Sequence, residues 1–158
     1  MRSNTALHKL GNIDLSQEHK IAFLCSRKCP AAVVLKSFDW AIAQRDKGVC
    51  VISGFHSRIE KDVFYYLLQG TQPIVLVLAR GMMKRWPVGI KAALDANRLL
   101  IISCYADSVT HASEETCYQS NRLMMTLADE IVIGYSSPGG NLERLCGEHG
   151  GKTSFLCL

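Results

Sequence analysis

Short apolar runs that alternate with longer amphipathic stretches are the feature that most constrains how this chain folds. The apolar runs cover residues 21–25, 49–52, 74–78, 99–103 and 131–134, and residues 153–158 are apolar enough for a sixth. Helical patterns follow the first five runs, over residues 31–45, 59–68, 89–96, 116–128 and 140–146. Strands buried on both faces have continuous apolar sequences, and strand–helix alternation implies parallel strands joined by right-handed crossovers. The sequence therefore predicts an α/β, Rossmann-like domain of three layers with a mostly parallel five- or six-stranded sheet.

The length of the chain fits one domain. Its 158 residues predict an N-terminal tail over residues 1–19 and a single domain over residues 20–158. The tail is polar and lacks the apolar segment of a secretory signal. The longest apolar run, residues 74–79, is far shorter than the roughly 20 residues that a membrane helix needs. We therefore expect a cytoplasmic protein that does not associate with a membrane.

The seven cysteines predict free thiols. Only Cys25 and Cys29 lie close together in the sequence, and no second pair or histidine cluster completes a zinc site. Cys50, Cys104 and Cys157 lie in or beside apolar runs, where a thiol behaves as a small hydrophobic group. We expect a reducing compartment, no metal and no other cofactor.

Basic and small residues follow the predicted strands. In an open parallel sheet the ligand binds beyond the carboxyl ends of the strands, so these loops meet at one edge. Six cationic side chains fall in three of the loops, namely Arg27, Lys28, Arg58, Arg80, Lys84 and Arg85. Free N–H groups at the helix starts also favour anions there. Since the net charge of +4 is too mild to indicate nucleic acid by itself, the position of the charges carries the prediction of a phosphate-binding edge. A set of loops that is simply solvated is the alternative.

Motifs for common nucleotide cofactors are absent, and catalytic candidates are few. The first loop reads C-S-R-K-C-P without a G-x-G-x-x-G pattern, and no G-x-x-x-x-G-K-[ST] occurs, which disfavours NAD and ATP. His56 is interpreted as a polar loop residue rather than a general base, because no G-x-S-x-G elbow accompanies it. Glu143 is a weak candidate for a catalytic carboxylate, although a first-turn helix glutamate is the more common explanation. Trp86 and Phe55 are candidates for stacking on bases.

The order of these motifs resembles the Rossmann-like core of the DNA-processing protein A (Smf/DprA) family. The first strand of that family ends in Gly-Ser-Arg, and here Ser26 and Arg27 match while Cys25 replaces the glycine. The second strand of the family leads into Ser-Gly-Leu-Ala-Arg-Gly-Ile-Asp, and residues 53–60 here read S-G-F-H-S-R-I-E. The first two motifs are thus kept in part.

Three further motifs follow in the family's order. Gly81 and Pro87 are in register with the Gly-x-Gly loop and the Tyr-Pro element, with Trp86 as the aromatic residue. Residues 120–122 are the counterpart of the family's Arg-Asn-Arg helix, and residues 137–140 of its small-residue turn. The resemblance covers roughly residues 20–145.

The resemblance implies a domain that binds single-stranded DNA and, in the full-length family, helps to load the RecA recombinase during transformation. We therefore expect single-stranded DNA or a nucleotide as ligand, with a RecA-type recombinase and a homodimer as further candidate partners. The motifs and the loops together predict a set of phosphate- or DNA-binding residues: Ser26, Arg27, Lys28, Ser53, Gly54, Phe55, His56, Arg58, Arg80, Gly81, Asn121, Arg122, Ser137, Gly139 and Gly140.

Two other functions stay open at this point. The wider superfamily includes the LONELY GUY-type phosphoribohydrolases, whose Pro-Gly-Gly turn matches residues 138–140, although the Gly-Thr that follows it is absent here. The chain would then be a nucleotide sensor or a nucleotide N-glycoside hydrolase, with Glu143 assisting the leaving base. The second alternative is a partner-binding scaffold whose pocket has lost its ligand.

Overall fold

One seven-stranded sheet organises the protein. The computed structural model describes residues 6–156. Its strands are β1 His8–Gly11, β2 Lys20–Leu24, β3 Cys50–Ser53, β4 Ile74–Leu78, β5 Leu99–Ser103, β6 Glu130–Ile133 and β7 Thr153–Phe155. Its α-helices are α1 Ala31–Lys47, α2 Arg58–Leu68, α3 Val88–Asp95, α4 Glu114–Leu127 and α5 Asn141–Glu148, with short 3-10 helices at Ile13–Gln17 and Gly150–Lys152.

The strand order is β1-β5-β4-β3-β2-β6-β7. All neighbouring strands pair in parallel except β1, which runs antiparallel to β5. This arrangement confirms the predicted mostly parallel α/β sheet, since a strand–helix alternation packs in this way.

The helices cover both faces of the sheet and make three layers. Met124 and Met125 of α4 and Leu145 of α5 pack with Ala22 and Leu24 of β2 on one face. On the other face, helices α1, α2 and α3 pack on Phe23 and its neighbours through buried side chains such as Val33, Val63, Leu67 and Ala93. Successive residues of β2 thus contribute to opposite cores, as the pleat of a strand requires. Trp40 of α1 stacks on Phe23 with ring centroids 5.1 Å apart.

The N-terminal segment differs from the prediction. Residues 1–19 are predicted as a tail, but His8–Gly11 form the edge strand β1 and Ile13–Gln17 a 3-10 helix. All four residues of β1 are exposed, so the segment carries no apolar run that could reveal a strand. Because β1 joins the sheet, the strand count is seven rather than five or six.

The C-terminal end supplies the last strand. Thr153–Phe155 form β7 beside β6, within the predicted run over residues 153–158. Cys157 and Leu158 of that run lie outside the described residues. Across residues 6–156, no helix combines the length and the apolar character that crossing a membrane requires.

Candidate functional site

A cleft opens where the strand order reverses. From β2 the chain continues to β3 on one side, whereas β6 lies on the other side, so the loops after β2 and β6 diverge. The cleft between them has a volume of about 320 Å³. It is lined by Cys25, Ser26, Arg27, His56, Ser57, Glu60, Glu114, Cys117, Tyr118, Asn121, Ser137, Gly140, Asn141 and Leu142. Six of the residues that the sequence predicts are among them: Ser26, Arg27, His56, Asn121, Ser137 and Gly140.

Ser26 joins the two loops that form the cleft. Its backbone N–H donates to the carbonyl of Tyr135 at 2.8 Å, and its hydroxyl accepts a hydrogen bond from the N–H of Ser137 at 2.9 Å. The loops after β2 and β6 are therefore held together at the point where Arg27 follows. Ser26 positions the cleft with both its backbone and its side chain.

Glu60 fastens the loop after β3 to the end of β2. Its carboxylate is buried and accepts hydrogen bonds from the N–H groups of Cys25 at 3.0 Å and His56 at 2.8 Å. Its own N–H donates to the hydroxyl of Ser57, the N-cap of α2. Burial raises the pKa of the Glu60 carboxyl above its usual value, and the hydrogen bonds from the backbone oppose that effect. In the sequence, Glu60 is recognisable only by its position, which matches the final aspartate of the family's second motif.

His56 is a neutral side chain in the wall of the cleft. Burial, with the positive charges of Lys61 and Arg27 nearby, lowers the pKa of His56 to about 4. Nε2 of its ring pairs with the hydroxyl of Ser120 on α4 at 3.3 Å. The ring also covers Gly54 so closely that a Cβ at that position would overlap it. A side chain at position 54 would therefore displace the ring of His56, which connects the loop after β3 to α4.

Ser53 and Phe55 hold the loop after β3 in place and do not line the cleft. The fully buried hydroxyl of Ser53 donates to the carbonyl of Phe23 at 2.8 Å and accepts from the N–H of Phe55 at 3.2 Å. Phe55 has a φ of 52°, which is costly for a bulky residue, and its ring stacks on Phe64 at a centroid distance of 4.1 Å. The structure thus corrects the prediction that Phe55 stacks on a base, because its ring is buried.

The N-terminus of α5 points into the cleft. Gly140 is the N-cap of this eight-residue helix, and Gly140, Asn141 and Leu142 all line the cleft. Gly139 adopts a φ of 75° in the preceding turn. The first N–H groups of a helix have no partner within it, and the helix dipole is positive at this end. An anion in the cleft therefore meets donors and a favourable field.

Glu143 closes the turn instead of facing the cleft. Its exposed side chain accepts a hydrogen bond from the N–H of Gly139 at 3.3 Å, and it is absent from the cleft's lining. This is the arrangement of a first-turn helix glutamate, which is stabilised by the helix dipole.

Helix α4 forms the remaining wall. Glu114, Cys117, Tyr118 and Asn121 recur at intervals of three and four residues, so they lie on one face of the helix. Of these four residues only Asn121 is predicted from the sequence, although the helical spacing indicates the other three once Asn121 is assigned to the site. The Oδ1 atom of Asn121 is buried and has no hydrogen-bond partner among the described residues.

Arg27 is the cation of the cleft. It is exposed, and it forms no salt bridge with any residue between positions 6 and 156. Lys28 is exposed on the same loop but does not line the cleft. The exposed carboxylate of Glu114 lies across the cleft and accepts a hydrogen bond from the side chain of Asn141 at 3.5 Å. Arg27 and the N-terminus of α5 therefore favour an anion, while the carboxylate of Glu114, which lies beside Asn141 at the start of α5, opposes an anion at that end of the cleft.

The structure turns Arg122 away from the cleft. Its Nε lies 3.5 Å from Oε2 of Glu148 at the end of α5, and it lines a different depression together with Cys104 and Thr126. Asn121 faces the cleft, and its neighbour on a helix points about 100° away. The structure therefore corrects the prediction that Arg122 shares a phosphate site with Arg27.

Three further predicted residues lie away from the cleft. Arg58 is exposed at the start of α2 and pairs with Asp62 at 3.3 Å. Arg80 donates to the carbonyl of Gly81 after β4. Gly81 packs so tightly on the loop after β5 that a Cβ would overlap the carbonyl of Ala106. Gly81 is thus needed for the close packing of these two loops.

The described residues contain no cluster of side chains that could bind a metal ion. Over residues 6–156, no three His, Cys, Asp or Glu side chains are grouped as a metal site requires. The six described cysteines are free thiols, and burial raises the pKa of Cys25 and of Cys50 to about 12.

Fold and site together define a Rossmann-like α/β domain with a cleft at its switch point, lined by Arg27 and the N-terminus of α5. The family model for DNA recombination-mediator protein A matches residues 2–143, which is most of the chain. The chain therefore belongs to the DNA recombination-mediator protein A family.

Solved structures of DNA processing protein A share this fold. The protein from Helicobacter pylori matches with a TM-score of 0.75 and 17% identity, over 94% of this chain and 70% of its own. The protein from Streptococcus pneumoniae matches with a TM-score of 0.75 and 18% identity, over 94% of this chain and 53% of its own. No curated protein sequence matches this chain significantly.

Proposed function

We propose that this protein binds single-stranded DNA and holds a backbone phosphate in the cleft between the loops after β2 and β6. The observation that carries the proposal is the convergence of Arg27, which has no salt-bridge partner in the described chain, and the N-terminus of α5 on one cleft. Phosphate contacts supply most of the affinity of proteins that bind nucleic acids without reading sequence. A helix N-terminus beside an arginine provides such a contact.

Family membership supports a nucleic-acid ligand. The DNA processing protein A of Helicobacter pylori, which has the same fold over 94% of this chain, binds single-stranded DNA. Ser26 and Arg27, which the resemblance assigns to a phosphate pocket, both line the cleft here. The family and the geometry therefore favour the same edge of the sheet.

The hydrolase alternative has less support from the site. A phosphoribohydrolase needs a carboxylate that reaches the leaving base. The Glu143 side chain accepts a hydrogen bond from Gly139 and does not line the cleft. We therefore favour binding of DNA over turnover of a nucleotide.

The wider role is a proposal that rests on the family. In this role the protein acts in DNA recombination or transformation in the cytoplasm. Its partner is a RecA-type recombinase or a second copy of the chain. Its first requirement is that the protein binds single-stranded DNA.

The test is a fluorescence anisotropy titration of a labelled single-stranded oligonucleotide at several salt concentrations. We expect Arg27→Ala to weaken binding about tenfold or more at low salt, since a hydrogen bond to a charged group contributes about 1.5–3 kcal/mol. Loss of one phosphate contact also lowers the slope of log K against log salt by about 0.7. Lys47→Ala is the matched control, because Lys47 is an exposed cation at the end of α1, away from the cleft.

The comparison of the two variants decides the outcome. If Arg27→Ala and Lys47→Ala bind the oligonucleotide with equal affinity, the cleft is not the site that binds DNA. Binding that does not respond to salt would exclude a phosphate contact altogether.

A further inference from the structure

A second groove lies between the loop after β4, helix α3 and the edge strand β1. Its volume is about 530 Å³, which is within the range of small-ligand sites. It is lined by Leu10, Lys84, Arg85, Trp86, Lys91, Leu94 and Asp95. None of these residues lines the cleft at the switch point. The groove is therefore a separate feature of the surface.

Trp86 gives the groove an aromatic wall that the core holds in place. The side chain is half-buried and packs against the cluster formed by α1, α2 and α3, yet it also lines the groove. Leu10, which is 40% exposed on β1, and Leu94 of α3 complete an apolar slot beside it. A nucleobase is flat and apolar on its faces, so it fits a slot of this kind, and stacking on an aromatic ring tolerates every base.

The charges of the groove match a phosphate backbone. Lys84 and Arg85 are exposed and have no salt bridge within residues 6–156. Lys91 pairs with Asp95 at 3.2 Å, so the single carboxylate of the groove is already neutralised by a third cation. The two unpaired cations directly precede the tryptophan in the chain. A base on Trp86 thus has donors for its flanking phosphates at the same site.

The groove lies close enough to the cleft for one single-stranded DNA molecule to contact both sites. The segment over residues 84–86 follows β4, and Arg27 follows β2, two strands away in the sheet. Neighbouring strands lie about 4.8 Å apart, so β4 is roughly 10 Å from β2, and β1, whose Leu10 completes the groove, is four strands or roughly 19 Å from β2. A strand of several nucleotides can span this distance, whereas a mononucleotide cannot occupy both places.

We propose that this groove is a second subsite for single-stranded DNA, in which one base stacks on Trp86 and its flanking phosphates contact Lys84 and Arg85. The inference rests on the proposed binding of single-stranded DNA in the cleft. It adds a base-binding site to a phosphate-binding site. It also explains why a tryptophan follows two unpaired cations at an exposed edge of the domain.

The intrinsic fluorescence of Trp86 tests the contact directly. The chain has two tryptophans, so Trp40→Phe leaves Trp86 as the only tryptophan, and excitation at the red edge of the absorption band avoids emission from the tyrosines; phenylalanine keeps the aromatic stacking on Phe23. We titrate this variant with an oligothymidylate of about twelve nucleotides at low salt, and follow both Trp86 emission and the anisotropy of the labelled strand. We expect quenching of Trp86 that saturates together with the anisotropy. Binding seen by anisotropy without any change in Trp86 emission overturns the subsite and leaves the cleft as the DNA site.

A length series separates the subsite from the cleft. Trp86→Ala is expected to weaken the twelve-nucleotide strand about tenfold and to leave a dinucleotide unaffected, while Trp86→Tyr restores most of the loss because tyrosine also stacks. Equal affinity of Trp86→Ala and wild type for the long strand contradicts the proposal. No binding of any strand by wild type contradicts both the proposed function and the subsite, and so differs from failure of the subsite alone.

Discussion

The pH dependence of stability is controlled in part by His56, and its size follows from the burial of the ring. The pKa of His56 is about 4 in the folded protein and about 6.5 in the unfolded chain. Between these values the unfolded chain binds more protons than the folded protein, so acidification favours unfolding. The contribution is fully present above pH 6.5 and is lost progressively as the pH falls towards 4. The whole loss is roughly 3 kcal/mol, since each pKa unit corresponds to about 1.4 kcal/mol.

Between pH 7 and pH 5 this linkage lowers the free energy of unfolding by about 2 kcal/mol. For a domain of this size that corresponds to a fall in Tm of about 4–8 °C. Glu60 acts in the opposite direction, because its raised pKa means that the folded protein takes up that proton more readily. Comparing wild type with a His56 variant cancels the contribution of Glu60, which both proteins share.

The assay is urea denaturation followed by circular dichroism at pH 7 and pH 5, at equal ionic strength. His56→Gln keeps a polar side chain towards Ser120 but removes the titrating group. We expect the loss of stability between the two pH values to be about 2 kcal/mol smaller in His56→Gln than in wild type. His111→Gln, at an exposed loop histidine, serves as the control. If wild type and His56→Gln lose equal stability on acidification, the argument from burial is wrong.

Two further predictions concern the packing that shapes the site. Gly81→Ala should destabilise the fold by several kcal/mol because the new Cβ overlaps the carbonyl of Ala106, whereas Gly147→Ala, an open position in α5, should raise stability by about 0.5–1 kcal/mol. Equal urea midpoints for these two variants would refute the reasoning. Ser53→Ala should cost about 1–3 kcal/mol, because the buried carbonyl of Phe23 loses its donor, and unchanged thermal stability would contradict this assignment.

The fold could be predicted to a large extent because its signal is local. Five apolar runs correspond to β2 through β6, and the helical patterns that follow these runs correspond to α1 through α5. The strand β1 could not be predicted from the sequence, because an exposed edge strand of four residues has no apolar periodicity. Only its pairing with β5 defines it. The start of α4 at Glu114 rather than at residue 116 follows from the capping box that Ser113 forms with Thr116.

The candidate site could be predicted only in part. The rule that ligands bind beyond the carboxyl ends of parallel strands pointed to the loops that carry Ser26, His56 and Ser137, and the structure brings these three residues to one cleft. It could not separate Arg27, which lines the cleft, from Arg58, which pairs with Asp62 on the surface of α2. Both follow a strand, but the direction of each side chain depends on its own loop and on the partners within reach.

The sequence by itself thus determined the α/β alternation and the family, and it pointed to the edge of the sheet at which the cleft lies, since these depend on periodicity and on motif order. Tertiary structure alone decided which side chains meet in the cleft. Glu60 reaches from α2 to the N–H of Cys25, thirty-five residues away, and Arg122 finds Glu148 on another helix. Such contacts join parts of the chain that are distant in sequence and have no local signature. The contact of Glu60 forms because a buried polar group must find a partner wherever the fold provides one, whereas Arg122 and Glu148 are exposed charges that the packing of α4 and α5 brings together.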